Sequence, residues 1–311
     1  MLSGQGYKGY AKYNARITAR KIGFVKKYTK GGGTVKLKHD LIGKIANMTT
    51  TEKDLYLYLC RRQEADGRVR GVYHKDVAAE CGMSSASFYN AKNGLAEKGA
   101  IRLEYKEKEC DMIVIGNDFS DGRYINYINL NRSVFHRKAF RKLNGRETYF
   151  VLEMLKNSQR SESGGCCKLA VGTLYSKYSQ ILKVKFRTIR HYLHVLKLFF
   201  SVGIVKGNYY IEYRRGVFDP KPENRKAEIN WSIEQMIRSV YRRYKREQTQ
   251  EDTRDLISLF KQFKKTSDDN GLSGSAYNNL FVRAVEEAVK TTTEKVSIAY
   301  INKLICEGIY A

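Results

Sequence analysis

The sequence predicts a predominantly helical α+β protein in which two tandem modules precede a small all-α domain. Three observations lead there: a strand-like motif that occurs twice, a helix-helix-helix-hairpin order that follows each copy, and a change of pattern at the only two prolines, Pro220 and Pro222. The chain has 311 residues, of which 42% are hydrophobic. That is enough for two or three cores and argues against wholesale disorder.

Residues 1–33 carry eight basic residues and no acidic one, with Tyr7, Tyr10, Tyr13, Phe24 and Tyr28 interleaved. Such an arm either orders along phosphates or in a minor groove, or is a disordered tail kept for its charge. The "GGG" at 31–33 lacks the Gly-Lys-Ser/Thr of a nucleotide-binding loop and reads as a turn.

"TVKLKHDLI" (34–42) and "YINLNRSVF" (127–135) share an alternating pattern that ends in an apolar pair: Val35, Leu37, Leu41 and Ile42 match Ile128, Leu130, Val134 and Phe135. Each predicts a short strand and a turn. A helix follows each. In "TTTEKDLYLYLCRR" Thr49 to Thr51 are candidate caps, with Leu55, Tyr58 and Leu59 inward. In "LNGRETYFVLEMLKN" Asn144 is the candidate cap, with Phe150, Val151, Met154 and Leu155 inward. "HKDVAAECG" and "VGTLYSKYSQIL" supply the second helices.

The third helices lie in "MSSASFYNAKNGLAEKGAI" (83–101) and "LKVKFRTIRHYLHVLKLFFSVGIV" (182–205). Ser84 or Ser85 caps the first, Phe88, Ala91, the stem of Lys92 and Leu95 face inward, and Gly99 ends it in the left-handed conformation. The second turns Ile189, Tyr192, Leu193, Leu196, Phe199 and Phe200 inward, with Gly203 as the expected stop. The hairpins "IRLEYKEKECDMIVIG" and "IVKGNYYIEYRR" come next, the latter turning at Lys206, Gly207 and Asn208. Three helices and a two-stranded wing are the order of a winged helix, and here it occurs twice. The expected boundaries are a basic arm at 1–33, winged helices at 34–121 and 122–216, a hinge at 217–227 and a helical domain at 228–311.

The net charge is +25, distributed as +8 over 1–33, zero over 34–121, +15 over 122–216, and +1 in each of 217–227 and 228–311. Such an excess points to a polyanion: nucleic acid first, with ribosomal RNA or an anionic membrane surface as alternatives. Its concentration places that partner mainly on the second module.

In a helix-turn-helix the third helix enters the major groove of double-stranded DNA. Once the apolar face of "VKFRTIRHYLHVLK" is set aside, Lys185, Arg187, Arg190, His191, His194 and Lys197 point outward as candidates for base contact. Arg187 and Arg190 share a face, and either suits a bidentate contact to guanine. Lys183, Lys206, Arg214 and Arg215 flank that helix and suit phosphates. The corresponding outward residues of the first module, Ser85, Ser87, Tyr89, Asn90 and Asn93, are secondary DNA candidates. Lys106 and Lys108 lie on that module's wing, but Glu104, Glu107, Glu109 and Asp111 stand beside them, so a protein–protein interface is the competing reading.

No catalytic constellation emerges, so the expectation is a non-enzyme without cofactor. His191 and His194 have no third ligand at a metal-binding spacing, and "HYLH" is not the strand-borne His-x-His of rolling-circle nucleases. The adjacent cysteines of "GGCCK" lack the separated pairs of a zinc site and read as a surface loop. Six cysteines without disulfide-scaffold spacing, and no leader pattern, predict a reduced, cytoplasmic protein. No apolar run approaches the ~18 residues needed to cross a bilayer.

Two tandem winged helices, introduced by "VKLKHDLI" and "INLNRSVF" and with the basic charge on the second, resemble the tandem winged-helix plasmid replication initiators (Rep proteins). The resemblance covers about 34–216 and rests on layout. It implies that the first winged helix mediates homodimerisation and that the second binds repeated origin sites.

Beyond "FDPKPENRK", the segment "WSIEQMIRSVYRRYK" aligns Ile233, Ile237, Val240, Tyr241 and Tyr244, and "DLISLFKQF" continues the helical pattern. "AYNNLFVRAVEEAVKTTTEKVSIAYINKLICEGI" is similar to the C-terminal helical domain of DnaD-type primosome proteins through Ala284, Ala288, Tyr300, Ile301, Leu304 and Ile305. Glu307 or Gly308 stands where that family usually has Trp. This similarity implies contact with host replication proteins. The expected function is a sequence-specific initiator of plasmid or mobile-element replication; the alternatives are a winged-helix transcriptional regulator and a primosome-like loader.

Overall fold

The computed structural model describes residues 34–106, 109–120, 126–131, 134–135, 137–161, 165–218, 225–292 and 296–310. The basic arm, Lys108, Pro220 and Pro222 lie outside the described residues. The fold is predominantly helical with small antiparallel sheets. Its described residues divide into two compact units: Phe150–Phe218, and a larger one that joins residues 34–149 with those beyond Phe218.

The larger unit begins with β1 (Thr34–Lys38), α1 (His39–Ile45), α2 (Thr50–Arg62), β2 (Arg68–Val69), α3 (His74–Cys81), α4 (Ser85–Glu97), β3 (Ile101–Lys106), β4 (Glu109–Val114), β5 (Tyr127–Asn131) and α5 (Lys138–Arg141). Helix α6 (Gly145–Arg160) starts there and continues into the smaller unit. That unit adds β6 (Cys166–Ala170), α7 (Val171–Leu182), α8 (Phe186–Leu196), β7 (Phe200–Val205), β8 (Asn208–Tyr213) and α9 (Arg215–Phe218). The order helix, short strand, helix, helix, hairpin therefore occurs twice. Both sheets also repeat one topology, β2-β4-β3 and β6-β8-β7, in which the short first strand pairs with the last.

The two copies of the strand motif pair with each other. β1 and β5 run antiparallel, with Val35 opposite Leu130 and Leu37 opposite Ile128, and all four side chains are buried. Each strand alternates and has one apolar face, so the pairing covers both at once. The Asn117 side chain satisfies the outer edge of β1: its Oδ1 accepts from Lys38 N at 3.1 Å and its Nδ2 donates to Lys36 O at 3.0 Å. Nδ2 also reaches Gln63 Oε1 at 2.8 Å, which ties β1 to the end of α2.

Helix starts follow local polar chemistry. Thr49 and Glu52 form a reciprocal capping box on α2, Ser84 Oγ accepts from Ser87 N on α4, and Asn144 and Glu147 exchange backbone-to-side-chain bonds at α6. Burial alone would raise the Glu52 pKa, but hydrogen bonds from Lys98 and from the Thr49 backbone, with the Lys98 charge, hold it below the usual carboxylate range. Thr49→Ala removes one half of the box and is expected to lower stability by about 1 kcal/mol, read from denaturant midpoints at unchanged m-value.

Two local expectations are corrected. Helix α8 does not end at Gly203: it ends at Leu196, and Gly203 lies in β7 opposite Tyr210. Phe199 and Phe200 continue the apolar face in sequence, but both are buried with the ring of Phe218 beside them, which draws the chain out of the helix. Similarly, "GGCCK" is no surface loop from Cys166 onward. Cys166–Ala170 is strand β6, and Cys167 sits opposite Ile211 in the core.

Helices α10 (Arg225–Arg243), α11 (Gln250–Asp269), α12 (Gly274–Thr291) and α13 (Ile298–Tyr310) surround a core that includes Ile237, Leu256, Tyr277, Phe281 and Ile305. Ala284, Ala288 and Ile301 are buried and Leu304 packs at the edge, whereas Tyr300 is exposed. These helices share the larger unit with the first repeat. Arg242 donates to Gly71 O at 2.9 Å and stacks over Tyr73, and Arg70 donates to Asn279 Oδ1 at 2.7 Å. Among the described residues no helix is long and apolar enough to cross a membrane.

Candidate nucleic-acid interface

The surface that stands out in the smaller unit is the outer face of α8. Ile189, Tyr192, Leu193 and Leu196 anchor the helix inward. Lys185, Arg187, Arg190, His191, His194 and Lys197 consequently face solvent, and all six are exposed. Arg187, Arg190, His191 and His194 follow an i, i+3, i+4, i+7 spacing and line one shallow open depression.

The helix is braced from below by α7 and the hairpin. The Tyr175 and Tyr209 hydroxyls lie 3.5 Å apart. Burial, then the Tyr175 hydroxyl, push the Tyr209 phenol up to about 12, against an opposing pull from the Arg190 charge. A long cationic side chain thus leaves the helix beside a fixed polar pair.

The other candidates lie in the neighbouring turns. Lys183 closes α7 with a left-handed backbone, φ 50°, and is exposed. Lys206 and Gly207 form the β7–β8 turn, both with positive φ, as a tight hairpin requires. Lys206 and Arg214 are exposed, while the Arg215 side chain lies outside the described residues.

The two repeats differ in what their cations do. Residues 150–218 carry +9, and one of their three acids, Glu153, is paired with Lys156. Among the described residues no ion pair engages Lys183, Lys185, Arg187, Arg190 or Lys197. In the first repeat Arg61 and Arg62 both meet Glu80, Arg68 donates to Glu104 at 2.6 Å and meets Asp111 at 3.2 Å, and Arg70 binds Glu64 at 2.6 Å. The Arg68 hydrogen bond holds the Glu104 carboxyl below its ordinary range. In the first repeat these four arginines are thus each held by a neighbouring carboxylate.

On α4, Ser85, Tyr89, Asn90 and Asn93 are exposed, whereas Ser87 is half-buried and occupied at the helix cap. Lys92 Nζ lies over both the Tyr89 and Tyr105 rings. The Lys106 side chain lies outside the described residues. Among the described residues no group of three His, Cys, Asp or Glu side chains could hold a metal ion, and none of the six cysteines is in a disulfide.

Two features escaped the sequence reading. Phe186 begins α8 and is 57% exposed, although its position three before Ile189 would put it at the margin of the apolar face. The charge counted over 122–216 also divides between the units: +6 of it precedes residue 150, and Arg137, Lys138, Arg141, Lys142 and Arg146 are exposed around α5 and the start of α6. No known protein family, curated protein or solved structure matches the chain, so the reading of this surface rests on its own geometry and charge.

Proposed function

We propose that the protein is a non-enzymatic, sequence-specific double-stranded DNA-binding protein, and that it initiates replication of a plasmid or mobile element at repeated origin sites. In this reading both repeats are winged helices, α8 enters the major groove, and the β7–β8 hairpin is the wing. The observation that carries it is that Arg187 and Arg190 are exposed on α8 with no ion pair among the described residues, whereas carboxylates hold Arg61, Arg62, Arg68 and Arg70 of the first repeat. A helix presenting Arg187 and Arg190 side by side fits the acceptor pairs of guanine, and Lys183, Lys206 and Arg214 at its margins fit phosphates. The neutral first repeat is assigned to protein contact, including a homodimer, and residues 228–311 to contact with replication proteins. The resemblance to Rep and DnaD-type layouts supports those two assignments.

The test is to incubate the purified protein with fragmented DNA from its source at ~0.15 M salt, where non-specific contacts weaken, and to sequence what stays bound. Clustered direct repeats beside an A·T-rich segment are expected. Scattered inverted sites at promoters would make the protein a transcriptional regulator instead. On the recovered duplex, Arg190→Ala is expected to lose ~10–100-fold in affinity and Asn90→Ala less than about twofold. Equal losses, measured by titration at fixed salt, would remove α8 as the main reader.

A further inference from the structure

Phe186 sits between Lys185 and Arg187 at the first residue of α8, more than half exposed. Among the described residues of the smaller unit it is the exposed aromatic; the other large exposed apolar side chains there are Ile181, Leu198 and Ile204. Its ring is held rather than free. Tyr175 packs against it edge-on, with centroids 5.6 Å apart at 61°, and Tyr175 itself is braced by Tyr209. Arg190 lies four residues on, on the same face.

Single exposed apolar residues are common on protein surfaces and by themselves mean little. Position separates this one from the rest. It occupies the N-terminal turn of the helix, the part that faces base edges when such a helix lies in the major groove. The apolar feature of that groove is the 5-methyl group of thymine, which a phenyl ring can cover.

We propose that Phe186 reads a thymine methyl group, a specificity contact that rests on the placement of α8 in the major groove. The ring would cover the methyl while Arg187 or Arg190 reads a neighbouring base pair, so the preferred site carries a thymine within the footprint of the helix. Covering one methyl is equivalent to about a fourfold difference in affinity.

The test uses the full-length protein and the duplex it selects at ~0.15 M salt. Each thymine is replaced in turn by deoxyuridine, which removes only the methyl. At one or two adjacent positions deoxyuridine is expected to weaken wild-type binding by about fourfold. Phe186→Ala is expected to abolish that difference at those positions only, and Phe186→Leu, which keeps an apolar group, to retain part of it. Three outcomes would overturn the assignment: wild-type indifference to deoxyuridine at every position, a loss that persists undiminished in both variants, or a selected site without thymine under the helix. If wild-type protein selects no duplex sequence, the placement of α8 falls first, a result distinguishable from all three.

Discussion

Affinity for the selected duplex is expected to fall by about two to three orders of magnitude as salt rises from ~0.05 to ~0.2 M. The magnitude follows from counting cations. Lys183, Lys206 and Arg214 are exposed and in the proposed reading flank the groove, and Lys185 and Lys197, also exposed, stand at the two ends of α8. If about four to six cations meet phosphates, the logarithm of affinity falls with the logarithm of salt at a slope near −0.9 per contact. A fourfold rise in salt then gives the stated loss. Lys183→Ala and Lys206→Ala should each reduce the slope by about one and weaken all sequences alike, because a phosphate contact carries no sequence information. Arg190→Ala should instead narrow the gap between selected and scrambled DNA. A slope shallower than about −1 for the wild-type protein would mean that the exposed cations do not meet a nucleic-acid backbone, and would remove the proposed function at its base.

The outward face of α8 was legible in the sequence because its inward face is written in large apolar residues at helical spacing. With Ile189, Tyr192, Leu193 and Leu196 placed inside, the exposed set follows by elimination. The caps at Thr49, Ser84 and Asn144 were legible for a similar reason, since short polar side chains three residues ahead of a backbone donor have few other uses. Strands β2 and β6 were not. β2 has only Arg68 and Val69, and β6 hides behind glycines and an adjacent cysteine pair, so neither displays an alternating run.

Pairing was hidden for a different reason. That β1 would find β5 rather than stand alone at the head of each repeat depends on contacts some ninety residues apart, which no local period encodes. The same holds for charge. Counting residues showed that the first repeat is neutral, but only the geometry shows that Glu80, Glu104, Asp111 and Glu64 each sit on an arginine. Phe186 was missed because periodicity assigns an aromatic residue near an apolar stripe to the core.

Gly145→Ala is expected to destabilise the protein by about 3 kcal/mol, whereas Gly172→Ala, a similar change near the start of another helix, is expected to stabilise it by about 0.5 kcal/mol. Both glycines lie in the first turn of a helix, Gly145 in α6 and Gly172 in α7. A Cβ on Gly172 would meet nothing within 4 Å, and its backbone is not in the left-handed region, so alanine there only restricts the unfolded chain. A Cβ on Gly145 would stand 2.3 Å from Met48 O and 2.7 Å from Ile45 O. Both obstacles are backbone carbonyls in the segment that leaves α1, which a change of rotamer cannot move. Relief requires shifting either that segment or the start of α6, where Asn144 and Glu147 hold the cap and Phe150 to Leu155 begin the packing of the next repeat. The gain in helix propensity from glycine to alanine, about 1 kcal/mol, is too small to offset the overlap. Chemical denaturation of the two variants, followed by far-ultraviolet circular dichroism, checks both signs at once. If Gly145→Ala were as stable as the wild type, the close approach of α6 to the end of α1 would not exist in solution. The path by which the chain passes from one repeat to the next would then have to be redrawn.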